Sequence, residues 1–159
     1  MRLRLLAAAF VAAVVVASPA QAQPRPDFTG RWIVDTARSD FAHVTPPARM
    51  LMTVAQTDST FTFTQTVATP TGERSATQSY PLDGKERTQP TPDGVKVVGS
   101  ARATDAGITV DATITRGQTP AHQVSRWSLS PDGRTMTLEQ DVETPRGPTK
   151  LKLVFARQP

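Results

Sequence analysis

The sequence predicts an all-β protein, in which a single antiparallel up-and-down meander of about 8–10 strands closes into a barrel. Two observations predict this fold. Short runs alternate between apolar and polar residues along most of the chain, which is the pattern of strands with one buried face. Turn signals such as Asp83-Gly84, Asp93-Gly94 and Asp132-Gly133 separate the runs. An open sheet of this width would leave two bare edges, so closure into a barrel is favoured.

The N-terminal residues have the three parts of a secretory signal peptide. Arg2 and Arg4 precede an unbroken apolar run over Leu5–Ala17, and Ala20-Gln21-Ala22 provides a small-x-small cleavage site. A retained membrane anchor is the alternative, but the run is shorter than the ~20 apolar residues that span a bilayer. We therefore expect cleavage before Gln23 and a periplasmic or secreted protein.

Composition narrows the possible functions of the remaining chain. Without residues 1–22 it has 16 Lys and Arg against 14 Asp and Glu, and it contains one tyrosine and no cysteine. This charge excess is too small to indicate nucleic-acid binding, and disulfides and thiolate metal sites are excluded. We expect a short tail over 23–27 and one domain over 28–157, most simply a monomer.

The first strand is predicted over Phe28–Asp35. Phe28, Gly30, Trp32 and Val34 fall on one face of this strand, where the glycine leaves room beside the large indole. We expect that face to point into the barrel.

The remaining strands follow in order as alternating runs. Their polar positions carry Thr, Lys, Glu and Asp, so water should lie outside the barrel, and we expect no membrane insertion of the mature chain. The predicted strands cover Met50–Val54, Phe61–Val67, Glu73–Tyr80, Val95–Ala103, Ile108–Thr115, His122–Leu129, Arg134–Val142 and Thr149–Phe155.

The longest irregular segment is Thr36–Ala48. Its length suggests a lid or another functional loop, and it carries the apolar residues Phe41 and Val44 before the stiffening pair Pro46-Pro47. Two interpretations stay open: the loop gates the barrel, or Phe41 plugs the barrel end as part of the core.

A ligand site inside the barrel would combine apolar side chains with a few polar ones. On the predicted parity Gln65 shares a face with Phe61 and Phe63, and Gln140 shares one with Leu138. The alternative is that the polar strand Glu73–Tyr80 has the reverse parity and a solvated edge. The candidate ligand-binding residues are Phe41, Met52, Phe61, Phe63, Gln65, Gln78 and Tyr80.

The pattern Phe28-x-Gly30-x-Trp32, with Asp35, Ser39 and the segment Trp127–Thr135, resembles the lipocalin/calycin superfamily of barrels. More closely, it is similar to small exported lipocalin-like proteins of bacteria. The resemblance implies that Trp32 closes the barrel floor, that Arg157 packs across it, and that the cup holds a small apolar molecule. A frayed, solvated Arg157 is the alternative.

No constellation of residues indicates catalysis or a cofactor. The two histidines, His43 and His122, lack a second histidine at metal-ligand spacing. Ser39 and Asp40 lie near His43 but without the oriented base and oxyanion donors that a nucleophilic hydrolase needs. We predict no metal site and no cofactor, with a hydrolase as the less favoured possibility.

Two functions fit these observations. The first is binding of a small apolar molecule in the barrel cup. The second is a non-catalytic envelope or interaction module with a packed barrel. An open apolar interior with convergent polar groups would favour the first function.

Overall fold

The computed structural model describes residues 25–89, 91 and 94–159, so the predicted leader Met1–Ala22 lies outside the described residues. The described residues form ten β-strands and no helix. No helix long and apolar enough to cross a bilayer occurs in this part of the chain. The strands are β1 (Gly30–Val34), β2 (Met50–Gln56), β3 (Thr60–Thr69), β4 (Gly72–Pro81), β5 (Arg87–Gln89), β6 (Val95–Thr104), β7 (Gly107–Arg116), β8 (Thr119–Leu129), β9 (Thr135–Thr144) and β10 (Gly147–Arg157).

All ten strands belong to one antiparallel sheet in the order β4-β3-β2-β1-β10-β9-β8-β7-β6-β5. Each strand pairs with its neighbour in the chain except β4 and β5, and the first strand pairs with the last. The sheet curves until β4 also contacts β5 and β6. There the backbone N–H of Ser79 donates to Oε1 of Gln89 at 3.3 Å in place of a ladder. The predicted all-β, up-and-down barrel is confirmed, and the barrel is nearly closed.

Strand bounds differ from the predicted ones in ways that have physical reasons. The three-residue β5 is too short to show a period-2 pattern, so the sequence did not predict it. Strands β8 and β10 begin earlier than predicted and include Pro120 and Pro148. Each proline lies on the second residue of its strand, where a missing N–H costs little. The first strand, in contrast, is shorter than the predicted Phe28–Asp35. Phe28 lies before β1, although its side chain is fully buried.

The direction of the strands defines two barrel ends. The lower end holds the described N-terminal residues, the C-terminus and the β2–β3 and β8–β9 turns. The upper end holds the β1–β2 loop and the β3–β4, β7–β8 and β9–β10 turns. The hydrophobic core lies in the interior and is built mainly from inward residues of every strand except β5.

The β1–β2 loop is fastened to β10 rather than free. Asp40 and Lys152 exchange two backbone hydrogen bonds of 2.7 and 2.9 Å, and the hydroxyl of Ser39 accepts from the Val154 N–H at 2.9 Å. The next residue, Phe41, is 7% exposed and belongs to the core, whereas Val44 is 59% exposed. A buried Phe41 on a fastened loop matches the interpretation in which Phe41 plugs the barrel end as part of the core.

Candidate functional site

The strand register fixes which side chains share the barrel interior on the wall formed by β3 and β4. Phe61 lies opposite Tyr80, and Phe63 lies opposite Gln78. Because paired residues point to the same face of a sheet, Gln78 and Tyr80 face inward with the phenylalanines. Gln65 lies two residues along β3, on the same face, and its amide contacts the sulfur of Met50 at 3.6 Å. Strand β4, the polar strand of the sequence analysis, therefore points Gln78 and Tyr80 into the barrel, and the reverse orientation does not occur.

Aromatic rings cross the barrel in its lower half. The ring of Trp127 on β8 lies 5.1 Å from that of Phe61 and 5.0 Å from that of Phe63, measured between centroids. Phe61 also meets Phe28 edge-on at 6.1 Å, and Phe63 stacks on Tyr80 at 6.4 Å. Since β3 and β8 stand on different walls, these contacts join the walls and fill this part of the interior with side chains.

Polar side chains gather on the opposite wall, one residue pair above Trp127. Ser125 is only 3% exposed and lies opposite Gln140 in the β8–β9 register. Its hydroxyl oxygen accepts from the side-chain amides of Gln123 at 2.8 Å and of Gln140 at 3.2 Å. We call Gln123, Ser125 and Gln140 the interior polar cluster. All three groups are uncharged, so the interior at this level is polar without being ionic.

Burial alters the acid–base behaviour of the inward tyrosine. Tyr80 is fully buried, and its hydroxyl donates to Oε1 of Gln78 at 2.7 Å. Loss of water around the phenolate raises the pKa of Tyr80 to about 12. This tyrosine is therefore a neutral hydrogen-bond donor at physiological pH.

One buried donor in the interior has no protein partner. The indole Nε1 of Trp127 is inaccessible and makes no hydrogen bond to any described residue. The other tryptophan differs, because Nε1 of Trp32 donates to the carbonyl of Phe28 at 2.9 Å. The sequence did not identify Trp127 or Ser125 as site residues. The sequence signal that could have identified them is the spacing of Gln123, Ser125 and Trp127, which places all three on one face of one strand.

The barrel floor brings together residues from both ends of the chain. The guanidinium carbon of Arg157 lies 4.4 Å from the ring centroid of Trp32. A Cβ added to Gly30 would come within 3.3 Å of Nη1 of Arg157, and this glycine has a φ of +141°. The glycine of the Gly30-x-Trp32 pattern thus leaves the arginine room to cover the indole.

Two surface clefts lie outside this interior. One of about 440 Å³ is found at the lower end, and one of about 300 Å³ lies between the β1–β2 loop and the outer face of β8–β10. Neither is lined by a residue predicted to bind a ligand. The first is lined by Arg25, Asp27, Gln56, Thr57, Asp58 and Leu82, and the second by Asp40, Arg126, Glu139, Gln140, Asp141, Lys150, Leu151 and Lys152.

The polar residues of the β1–β2 loop serve its backbone. The Ser39 hydroxyl donates to the carbonyl of Asp35 at 2.7 Å, and Asp40 accepts from the N–H of Ala42 at 2.8 Å. His43 is exposed, and His122 pairs with Asp111 at 2.8 Å on the outer face. Within residues 25–89, 91 and 94–159 no group of three metal-binding side chains is found.

Comparisons with known proteins relate the chain to others through its fold. No protein-family model and no curated protein matches the sequence. The crystal structure of zebrafish ileal bile acid-binding protein complexed with cholic acid matches with a TM-score of 0.54, at 17% identity, over 82% of this chain and 98% of that one. Secretory abundant heat soluble protein 4 from Ramazzottius varieornatus matches with a TM-score of 0.55, at 16% identity, over 88% of this chain and 100% of that one. At these identities the likeness concerns the fold.

Proposed function

We propose that the barrel binds a small apolar molecule in its interior. The observation that carries this proposal is the convergence of apolar residues with a few buried polar groups on opposite walls, since such a lining is typical of ligand sites. The aromatic rings around Phe63 form one wall, and the interior polar cluster forms the other. The bile acid-binding protein, complexed with cholic acid, gives a precedent for a small ligand in a similar barrel.

The ligand would occupy the interior above the aromatic contacts. Phe63 and Gln65 face inward there and are only partly buried, as is Gln78 on the neighbouring strand. The deeper candidates Met52, Phe61 and Tyr80 are at most 1% exposed and would form the base of the site. Phe41 belongs to the core on the side of the β1–β2 loop and would bound the site without a large share of the ligand contact.

Titration with the uncharged dye Nile red tests this function. Phe63→Ala should weaken dye binding about fivefold or more, because an inward ring is lost. Thr64→Ala is the matched control, since that hydroxyl pairs with Thr77 at 2.8 Å on the outer face. Failure of the wild-type chain to bind the dye, or equal weakening by both variants, would reject the proposal.

The alternative function is a non-catalytic interaction module with a packed barrel. The rings that join β3 to β8 favour it in the lower half. Mass spectrometry of the gently purified protein separates the two functions. A co-purifying small molecule that is lost in Phe63→Ala supports ligand binding, and its absence together with no dye uptake supports the module.

We also propose that the chain is exported to the periplasm or secreted. The support is the tripartite segment that ends at Ala22. N-terminal sequencing of exported protein should return Gln23, and Ala22→Asp should block processing while Gln21→Asn should not. Recovery of an intact Met1 in the exported fraction would contradict the proposal.

A further inference from the structure

The interior donors around Trp127 indicate what kind of polar group a ligand carries. Trp127 is 2% exposed, and its Nε1–H finds no acceptor among the described residues. A buried donor left without a partner destabilises the folded protein, and such groups are rare in native structures. An oxygen atom of a bound ligand would supply the acceptor that the protein does not.

The hydroxyl of Ser125 is a second donor near Trp127. The oxygen of Ser125 already accepts two amide hydrogen bonds, from Gln123 and Gln140. In both of these hydrogen bonds the Ser125 oxygen is the acceptor, so neither uses the hydroxyl hydrogen. Ser125 and Trp127 occupy positions i and i+2 of β8 and so face the same interior. Two buried donors are therefore available to one ligand.

The neutral interior disfavours an ionised ligand group at this depth. The buried polar residues that the structure describes are Gln89 and Ser125, which are both neutral. An ionised carboxylate placed beside Trp127 would lose its hydration without gaining a countercharge, which is strongly unfavourable. Arg74 and Arg116 fall on the inward register of β4 and β7, but both are exposed at the upper end.

We propose that the barrel selects an uncharged amphiphile, such as a long-chain alcohol, amide or ketone, and binds it with the polar end innermost. The ligand oxygen accepts hydrogen bonds from Trp127 Nε1–H and from the Ser125 hydroxyl. The amide oxygens of Gln123 and Gln140 accept a ligand O–H or N–H. The apolar tail lies against Phe63 and extends toward the upper end. This inference rests on the proposed binding function and specifies its ligand class.

The test is a competition series with one chain length and different ends. The full mature chain is loaded with Nile red and titrated in turn with dodecanol, dodecanamide, laurate and dodecane. Dodecanol and dodecanamide should bind about tenfold more tightly than laurate and dodecane. In ¹H–¹⁵N NMR spectra dodecanol should shift the indole resonance of Trp127 and leave that of Trp32 in place. Laurate binding as tightly as dodecanol, or a Trp127 resonance that stays unchanged at saturation, would overturn the inference.

Two variants connect the preference to the residues. Trp127→Phe and Ser125→Ala should each reduce the advantage of dodecanol over dodecane by about fivefold or more. Ser128→Ala, on the exposed face of the same strand, is the control and should leave it unchanged. If Trp127→Phe does not fold, Ser125→Ala and the wild-type NMR experiment still decide. If Nile red and dodecane bind but the end group makes no difference to affinity, only this inference is rejected. If neither compound binds, the proposed function is rejected as well.

Discussion

Arg157 joins the two ends of the described chain by covering Trp32. Its guanidinium carbon stands 4.4 Å from the indole centroid. Its three nitrogens donate to backbone carbonyls of Gly133 at 2.9 Å, Thr29 at 2.9 Å and Asp27 at 3.1 Å. A planar group with several donors is needed for this arrangement, because the carbonyls come from two separate segments, the residues just before β1 and the β8–β9 turn. The last strand thereby holds the first strand and the β8–β9 turn in place.

Replacing Arg157 should lower the free energy of unfolding by about 1–3 kcal/mol, through loss of the cation–π contact and the carbonyl hydrogen bonds. Arg157→Lys should recover only part of the loss, since an ammonium lacks the planar fork. Urea denaturation of Arg157→Gln and Arg157→Lys measures both effects. The control is Arg31→Gln on the outer face, expected within about 0.5 kcal/mol of wild type. Equal midpoints for all four proteins would contradict a structural role for this arginine.

The two tryptophans should differ in what their N–H groups contribute to stability. Trp32→Phe removes the donor to the Phe28 carbonyl and leaves that buried acceptor without its partner, at a cost of about 1–3 kcal/mol beyond the lost ring volume. Trp127→Phe removes a donor that has no protein partner among the described residues and should cost less. Urea midpoints of the two variants compare them, and a larger loss for Trp127→Phe would contradict the assignment. Complete truncation by Trp32→Ala should cost about 3–5 kcal/mol.

Alternation along single strands was enough to predict the fold, because a period of two identifies a half-buried strand without knowledge of its partners. It also predicted the inward direction of Phe61, Phe63 and Gln65. The contact between Trp127 and the β3 phenylalanines could not be predicted in the same way. It depends on how far the sheet curls and on the register of every strand between β3 and β8, and one sequence contains no direct measure of either.

Alkaline pH should unfold the protein in part through Tyr80. Its pKa is about 12 in the folded state and near 10 in the unfolded chain. The folded state keeps the Tyr80 proton to a higher pH than the unfolded chain does. The contribution of Tyr80 to the free energy of unfolding is therefore fully present below about pH 10 and is lost as the pH rises toward about 12. Since Tyr80 is the chain's one tyrosine, phenolate absorbance measures its pKa directly in native and urea-unfolded protein. Identical pKa values in the two states would contradict the burial argument, and Tyr80→Phe should remove this part of the pH dependence.

The β1–β2 loop contains a residue whose backbone conformation favours glycine. Ala42 has a φ of +52°, in the left-handed region. Ala42→Gly should therefore raise stability by up to about 1–2 kcal/mol, offset in part by the greater freedom of glycine in the unfolded chain. Ala48→Gly is the matched control in the same loop. It lacks a positive φ and should lower stability by about 0.5–1 kcal/mol. A destabilised Ala42→Gly would show that the turn has another conformation in solution.

Phe41 distinguishes a loop that plugs the barrel from one that gates it. Its side chain is buried in the core, and backbone hydrogen bonds between Asp40 and Lys152 hold the preceding residue on β10. A buried ring on a fastened segment should behave as a plug, so Phe41→Ala should lower the free energy of unfolding by about 3 kcal/mol or more. Nile red affinity should change less than about threefold, because the aromatic wall around Phe63 remains. The exposed Val44 provides the control, and Val44→Ala should change neither quantity. An unfolding midpoint close to wild type together with altered dye uptake would instead identify the loop as a gate.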